Sequence, residues 1–339
     1  FKRYTVSNTN VCAVVYPAVL SILGNAAVLI TAAQRKKRLK APELLSINLA
    51  VTDIGMALSM YPLSISSAFN HAWIGGDPTC LYYGLMGMIF SVASIMTLAV
   101  MGLVRYLVAA YLSHTTQSQK KIISRSHCKV IKHIHTIGMF ITLIWLYALL
   151  WAACPLLGWG GYGPEPYGMA CSVDWAGYQN SLNDSTFIMA LAVLCTILPC
   201  VAIVSSYLGI TWKLHKAYQT IQNNDRLPTF GNVEKKMAIL VSAGFMVSWT
   251  PYVAVSLWTM FHAGGKDSVT PLVSLLPCLF AKGATAYNPL IYYVFRKSFR
   301  REFRELCCPR SRIDYCRHTH THTHTNTHVQ DLCRTYLDI

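Results

Sequence analysis

Phe280-Ala281-Lys282-Gly283-Ala284-Thr285-Ala286-Tyr287-Asn288-Pro289-Leu290-Ile291-Tyr292 is the stretch that decides the fold. It places one lysine inside an apolar run from about Val269 to Phe295. Such a run is long enough to cross a bilayer, which takes about 20 helical residues. An ionisable side chain at that depth costs about 2.5–3.5 kcal/mol on insertion scales, so it needs a partner or a task. Burial favours the neutral amine, and a neutral amine can attack an aldehyde to give a Schiff base. The alternative is a lysine that snorkels or pairs with an acid in a membrane helix with no such chemistry. Six residues on, Asn288 to Tyr292 reads N-P-x-x-Y.

Outward from this run, the composition agrees with a membrane protein. The 339 residues are 53% hydrophobic and 13% charged, against about 25% charged in soluble domains. A net charge of +15 would suit a nucleic acid, but the basic residues sit in short segments between apolar runs, which is the positive-inside pattern. Seven spans are predicted: about Val11 to Ala33, Leu44 to Ala68, Cys80 to Tyr111, Thr136 to Gly158, Ser185 to Leu214, Met237 to Phe261, and the run carrying Lys282. Arg35-Lys36-Lys37-Arg38-Leu39-Lys40 follows the first span directly, which puts the N-terminus outside and the C-terminus inside. The fold class expected is therefore all-α, a seven-helix bundle. Residues 1–10 are read as the extracellular end of a fragment or processed form, and 11–308 as the helical domain.

Behind the last span, Arg296 to Leu306 has apolar and basic residues at helical spacing, so it is expected to lie as a short amphipathic eighth helix on the inner leaflet. Cys307 and Cys308 behind it are candidate palmitoylation sites, or inert thiols. Residues 309–339 hold alternating Thr and His from Thr319 to His328. That tract could bind metal, but a translated dinucleotide repeat explains it more simply, and a disordered cytoplasmic tail is expected. The twelve cysteines form no CxxC pair and no zinc spacing. Neither a phosphate-binding loop nor a soluble-hydrolase motif occurs, so no catalytic residue and no metal site is assigned. Asn183-Asp184-Ser185 fits a glycosylation sequon, close enough to span five to hinder its use.

Gly24-Asn25, Leu49-Ala50-Val51-Thr52-Asp53, Arg105-Tyr106, Trp145, Pro199, Trp249-Thr250-Pro251-Tyr252 and the N-P-x-x-Y stretch together resemble a rhodopsin-type G-protein-coupled receptor. Lys282 narrows the resemblance to the opsins. Arg35 to Leu44 and Gly163 to Trp175 resemble the neuropsin group within them.

The resemblance implies retinal, 11-cis or all-trans, held as a Schiff base on Lys282. It also implies a heterotrimeric G protein and an arrestin as partners at the inner face, with membrane lipid around the bundle. It pairs Cys80 with Cys171, a bond that an oxidising exterior allows. A protonated Schiff base needs an anion nearby. Visual pigments of vertebrates supply a glutamate three residues after the first of those cysteines, and here that position is Tyr83. Tyr83 is expected as a neutral hydrogen-bond partner, and Glu165, at the family's second counterion position, as the counterion; the alternative is a solvated loop acid. Trp249 and Tyr252 would wall the chromophore, or simply pack the core. Asn25, Asp53 and Asn288 would form a polar network between spans one, two and seven. Those residues, with Pro289, Tyr292, Arg105, Tyr106 and Tyr207, would relay activation.

Two departures stand out. Val104 occupies the place of the family's acid before Arg-Tyr, which removes a charge-assisted bond from Arg105 and predicts raised dark activity or altered coupling. The family's other acid would fall near Gly231, with Glu234 the nearest carboxylate. The polar, basic stretch Ser113 to Lys132 makes the second inner loop longer than the resemblance implies. Two other functions stay open: a retinal photoisomerase, favoured by Val104, and a chemoreceptor that uses Lys282 only as a charge.

Overall fold

The computed structural model describes residues 8–35, 41–70, 72–115, 126–165, 168, 170–221, 230–262 and 271–307. The elements run in chain order as helices α1 (Asn8–Gln34), α2 (Ala41–Phe69), α3 (Gly76–Thr115) and α4 (Ser126–Ala153), then strands β1 (Tyr162–Pro164) and β2 (Cys171–Val173). Helices α5 (Leu182–Leu191), α6 (Leu198–Ile221), α7 (Phe230–His262), α8 (Pro271–Phe295) and α9 (Lys297–Cys307) follow. Among the described residues, six stretches are long and apolar enough to cross a membrane, from Val15–Gln34 in α1 to Ile239–Phe261 in α7. Helix α8, with Lys282, packs against α1, α2 and α7 to complete the bundle. The all-α bundle expected from the sequence is the one observed.

Element ends follow local chemistry. After α4 a 3-10 turn, Cys154–Leu157, stops at Gly158, whose φ of 89° lets its N–H close back on Cys154 and Pro155. Ser181 caps α5 reciprocally with Asp184: its Oγ accepts from the Asp184 N–H at 3.1 Å and donates to the Asp184 carboxylate at 2.6 Å. The fifth span is α5 and α6 joined by a π-helical turn, Ala192–Ile197. Pro199, two residues beyond its end, brings no N–H to the ladder, a disruption that one widened turn absorbs.

Helices α3 and α4 both extend into the stretch expected as a long loop: α3 runs on to Thr115 and α4 starts at Ser126. Only 116–125 fall between them, outside the described residues. Residues 1–7, Cys308 and the Thr/His tail also lie outside them, as do the side chains of Glu234 and Cys307.

Side chains are sorted as lipid demands. Leu143, Leu146, Leu150, Val201, Leu208 and Trp212 point outward, while Asn25, Thr52, Asp53, Thr97 and Thr285 are buried between helices. Gly24 lets α1 approach α8 closely, since a Cβ there would come within 2.8 Å of the Pro289 ring.

Candidate functional site

Lys282 sits mid-way along α8, one helical turn after the buried Cys278 and partly buried itself. Its Nζ donates to Ser64 Oγ of α2 at 2.9 Å. Ser64 Oγ shares a 2.6 Å hydrogen bond with the Tyr83 hydroxyl of α3. The Tyr83 ring centroid lies 5.6 Å from Nζ, within reach of a cation–π attraction. Tyr61, one turn before Ser64, donates to the Lys282 carbonyl oxygen at 2.8 Å and lies 2.8 Å from Thr285 Oγ1. The amine is thus met by a hydroxyl of α2 that is itself bonded to one of α3, and its own backbone turn is braced from α2.

A hairpin covers this end of the bundle. β1 and β2 pair antiparallel, with Tyr162 opposite Val173 and Pro164 opposite Cys171. Cys171 is disulfide-bonded to Cys80 at the start of α3, with Cα atoms 5.3 Å apart. The bond places β2 against Tyr83, Trp73, Met60 and Cys278 in one buried cluster. The Trp73 and Tyr83 rings meet edge to face at 5.3 Å. Tyr162 donates to the Ala152 carbonyl at 2.9 Å, and burial pushes its phenol above the ordinary value, so it stays neutral.

Glu165 follows β1 directly and closes a tight turn, its N–H on the Ala170 carbonyl at 2.9 Å. Its Oε1 accepts from the Tyr252 hydroxyl of α7 at 2.9 Å. Trp249, one turn before Tyr252, meets it edge to face at 5.8 Å and stacks on Phe245 at 5.6 Å. Trp249 and Tyr252 both pack on the cluster that holds Tyr83, Cys171 and Cys278. The five residues expected around a chromophore therefore meet at one end of the bundle, under one lid. Ser64 and Tyr61 are the site residues that sequence reasoning passed over. Their signal was a hydroxyl pair three residues apart in an apolar span, hence on one helix face.

Further along the bundle, Asn288 Nδ2 of α8 donates to Asp53 Oδ2 of α2 at 2.9 Å. Asn25 Nδ2 of α1 donates to the carbonyls of Ser21 and Thr285, at 3.0 and 2.9 Å. Asn25 thus joins α1 to the α8 backbone, and Asp53 joins α2 to α8. A neighbouring network, also absent from the sequence reading, runs from Trp145 Nε1 to Asn48 Oδ1 at 2.9 Å and from Asn48 Nδ2 to Thr97 Oγ1 at 2.8 Å.

At the far end, Arg105 and Tyr106 follow Val104 in α3. The Tyr106 ring lies beside Gly209 of α6, where a Cβ would come within 2.6 Å of it. Lys213 Nζ sits 4.8 Å from the Tyr106 centroid. Ser242 donates to the Tyr207 hydroxyl at 3.3 Å, and Tyr292 is buried near Phe299 of α9. Arg35 lies between two acids, 2.8 Å from Glu43 and 2.9 Å from Glu302, and Arg296 reaches Glu43 at 3.1 Å. Burial works to lower the Arg35 value, but the hydrogen bonds and charges of Glu302 and Glu43 outweigh it and hold the guanidinium above its ordinary range. Among the described residues no cluster of three or more His, Cys, Asp or Glu could hold a metal ion.

Three comparisons bear on this arrangement. The sequence profile of the 7 transmembrane receptor (rhodopsin family) matches residues 24–292. The chain is 36% identical to Opsin-5 of Mus musculus over 294 residues, covering 86% of this chain and 72% of that protein. It is 29% identical to the human visual pigment-like receptor peropsin over 284 residues, covering 83% of this chain and 79% of that protein. The crystal structure of squid rhodopsin superposes with a TM-score of 0.74 at 26% identity, covering 88% of this chain and 84% of that one.

Proposed function

Because the chain belongs to the rhodopsin family of seven-transmembrane receptors, and within it to the opsins, we propose that it senses light through retinal carried on Lys282. The observation that carries this reading is the position of the Lys282 amine, set among hydroxyls under a disulfide-anchored hairpin. The residues fit the cofactor. An amine is present at the end of a long side chain, aromatic walls stand at Trp249 and Tyr252, and a carboxylate stands at Glu165 on the lid. Retinal bound there as a Schiff base supplies light absorption and a change of shape.

The chain's own residues do the rest. Trp249 links the cluster beneath the hairpin to the one around Tyr292, packing on both, so it is the side chain placed to pass a displacement down α7. Pro251, inside α7, lacks the N–H that would tie it to the preceding turn, so the helix can swing there. The Asp53–Asn288 bond and the Asn25 bonds join α8 to α2 and α1, and Arg105, Tyr106, Tyr207 and Tyr292 present the response at the far end. In this reading the hairpin end is extracellular, the α9 end cytoplasmic, and a heterotrimeric G protein binds the α9 end, with arrestin as a competitor. Glu165 serves as counterion. Cys307 and Cys308 are lipid anchors for α9.

The test is an absorption spectrum of the purified protein after addition of 11-cis and, separately, all-trans retinal. A new band is expected in the wild type and complete loss of it in Lys282→Ala. No lysine-dependent band from folded protein sinks the proposal. Nucleotide exchange on a G protein after illumination then separates a receptor from a photoisomerase, the reading that Val104 favours. An isomerase releases its retinal and drives no exchange.

A further inference from the structure

We infer that Ser64, backed by Tyr83, is the group that receives the N–H of the Lys282 nitrogen when that nitrogen is protonated, so that a relay of two neutral hydroxyls holds the charge on the α2–α3 side of the site. The inference rests on the retinal reading and goes beyond it, because a counterion at Glu165 alone leaves the direct partner of the nitrogen unassigned.

The geometry gives each proton one use. Nζ donates to Ser64 Oγ at 2.9 Å, and Ser64 can pass its own proton to the Tyr83 oxygen at 2.6 Å. A serine oxygen has two acceptor lone pairs and one proton, so it can take the amine and serve Tyr83 at once. Ser64 and Tyr83 are both buried, 3% and 2% exposed. In such a place a hydrogen bond to a cation is worth more than in water. The Tyr83 ring 5.6 Å away adds an attraction of the same sign.

The other groups facing the nitrogen do different things. Tyr61 of α2 gives its proton to the Lys282 carbonyl, not to Nζ. Cys278 lies one turn away on α8 itself. Glu165, on the hairpin, receives the Tyr252 proton from α7, so part of its accepting capacity is engaged on the opposite side of the site. A carboxylate bonded to Tyr252 and a hydroxyl bonded to the nitrogen are therefore separable contributions.

The experiment is a pH titration of the wild-type pigment, following the interchange of a visible band and an ultraviolet band, in the wild type, Ser64→Ala, Ser64→Thr and Tyr83→Phe. It needs no G protein. Loss of a hydrogen bond to a charged group corresponds to about one to two pH units. Ser64→Ala is expected to move the midpoint down by that amount. Ser64→Thr, which keeps the hydroxyl, is expected to restore it. Tyr83→Phe is expected to move the midpoint in the same direction by less, because Ser64 still meets the nitrogen. A midpoint unchanged in Ser64→Ala, or moved equally in Ser64→Thr, overturns the relay while leaving the pigment standing. A wild type with no Lys282-dependent band overturns the retinal reading, and this inference with it. If Ser64→Ala yields no folded protein, Tyr83→Phe decides alone, and an unmoved midpoint there overturns the relay.

Discussion

At the hairpin end, a covalent bond joins α3 to β2, and the polar side chains inside are spent on one another: Lys282 on Ser64, Ser64 on Tyr83, Glu165 on Tyr252. At the α9 end, α1, α2 and α9 meet through ion pairs whose side chains are 13–21% exposed, and α3 meets α6 through a tyrosine ring seated beside Gly209 under a lysine. The difference is one of strength per contact. A native disulfide stabilises by about 2–5 kcal/mol, whereas an ion pair near the surface contributes about 0–1 kcal/mol. The end that is proposed to hold a ligand is pinned, and the end proposed to respond is held by contacts that thermal motion can exchange. A receptor needs that asymmetry, because a response that costs more than a few kcal/mol outruns what ligand chemistry can shift.

The comparison breaks first if the disulfide proves dispensable. Cys171→Ser should cost about 2–5 kcal/mol, read as a large fall in thermal midpoint and in the yield of folded protein. A loss no larger than that of an exposed ion pair would mean that the hairpin is held by packing alone. Next in size is Arg35→Ala, which strips Glu302 of its guanidinium and leaves Glu43 with Arg296. The expected cost is about 1–2 kcal/mol, since the pairs are partly buried and charge-assisted. Faster hydrogen exchange over residues 297–307 should accompany it. The Arg35 value is raised on folding, so its contribution is fully present below the unfolded arginine value and is lost as pH rises through the folded one. The Arg35→Ala cost should therefore be flat from neutral to mildly alkaline pH. A cost matching that of the disulfide variant would erase the contrast between the two ends.

The smallest effect expected is at the α3–α6 seat. Lys213→Met keeps the stem and removes the charge over Tyr106, at about 0.5–1 kcal/mol in thermal stability. Gly209→Ala tests the same seat from below: its Cβ would meet the ring at 2.6 Å, so Tyr106 must move. If retinal-independent nucleotide exchange rises in both variants, the seat restrains the α9 end in place of the acid that Val104 lacks. Wild-type exchange in both would show the seat to be packing only.

Much of the architecture is legible in the chain because its signals are local. Apolar runs of spanning length mark the helices, prolines and glycines mark their ends and close approaches, and Lys282 is conspicuous because a charge in such a run is costly. The resemblance pairs Cys80 with Cys171, and the bond is present. Polar composition predicts a loop where the structure has helix: Ser113 to Thr115 belong to α3 and Ser126 to Lys132 to α4. Backbone hydrogen bonding in a helix does not require an apolar face, and a helix leaving a bundle needs none.

The chain's local signals set the apolar spans and their order, the lysine, and the residue types gathered near it, though not the division of the fifth span into α5 and α6. Which atoms meet depends on how the helices pack. Ser64 lies 218 residues from Lys282, Glu165 lies 87 from Tyr252, and Arg35 lies 267 from Glu302. A partner across a bundle depends on how far each helix is rotated and slid against its neighbours. Those settings come from the packing of whole faces, such as Gly24 against Pro289 and β2 drawn onto α3 by Cys171. A hydroxyl on α2 becomes the partner of an amine on α8 only once those faces have closed.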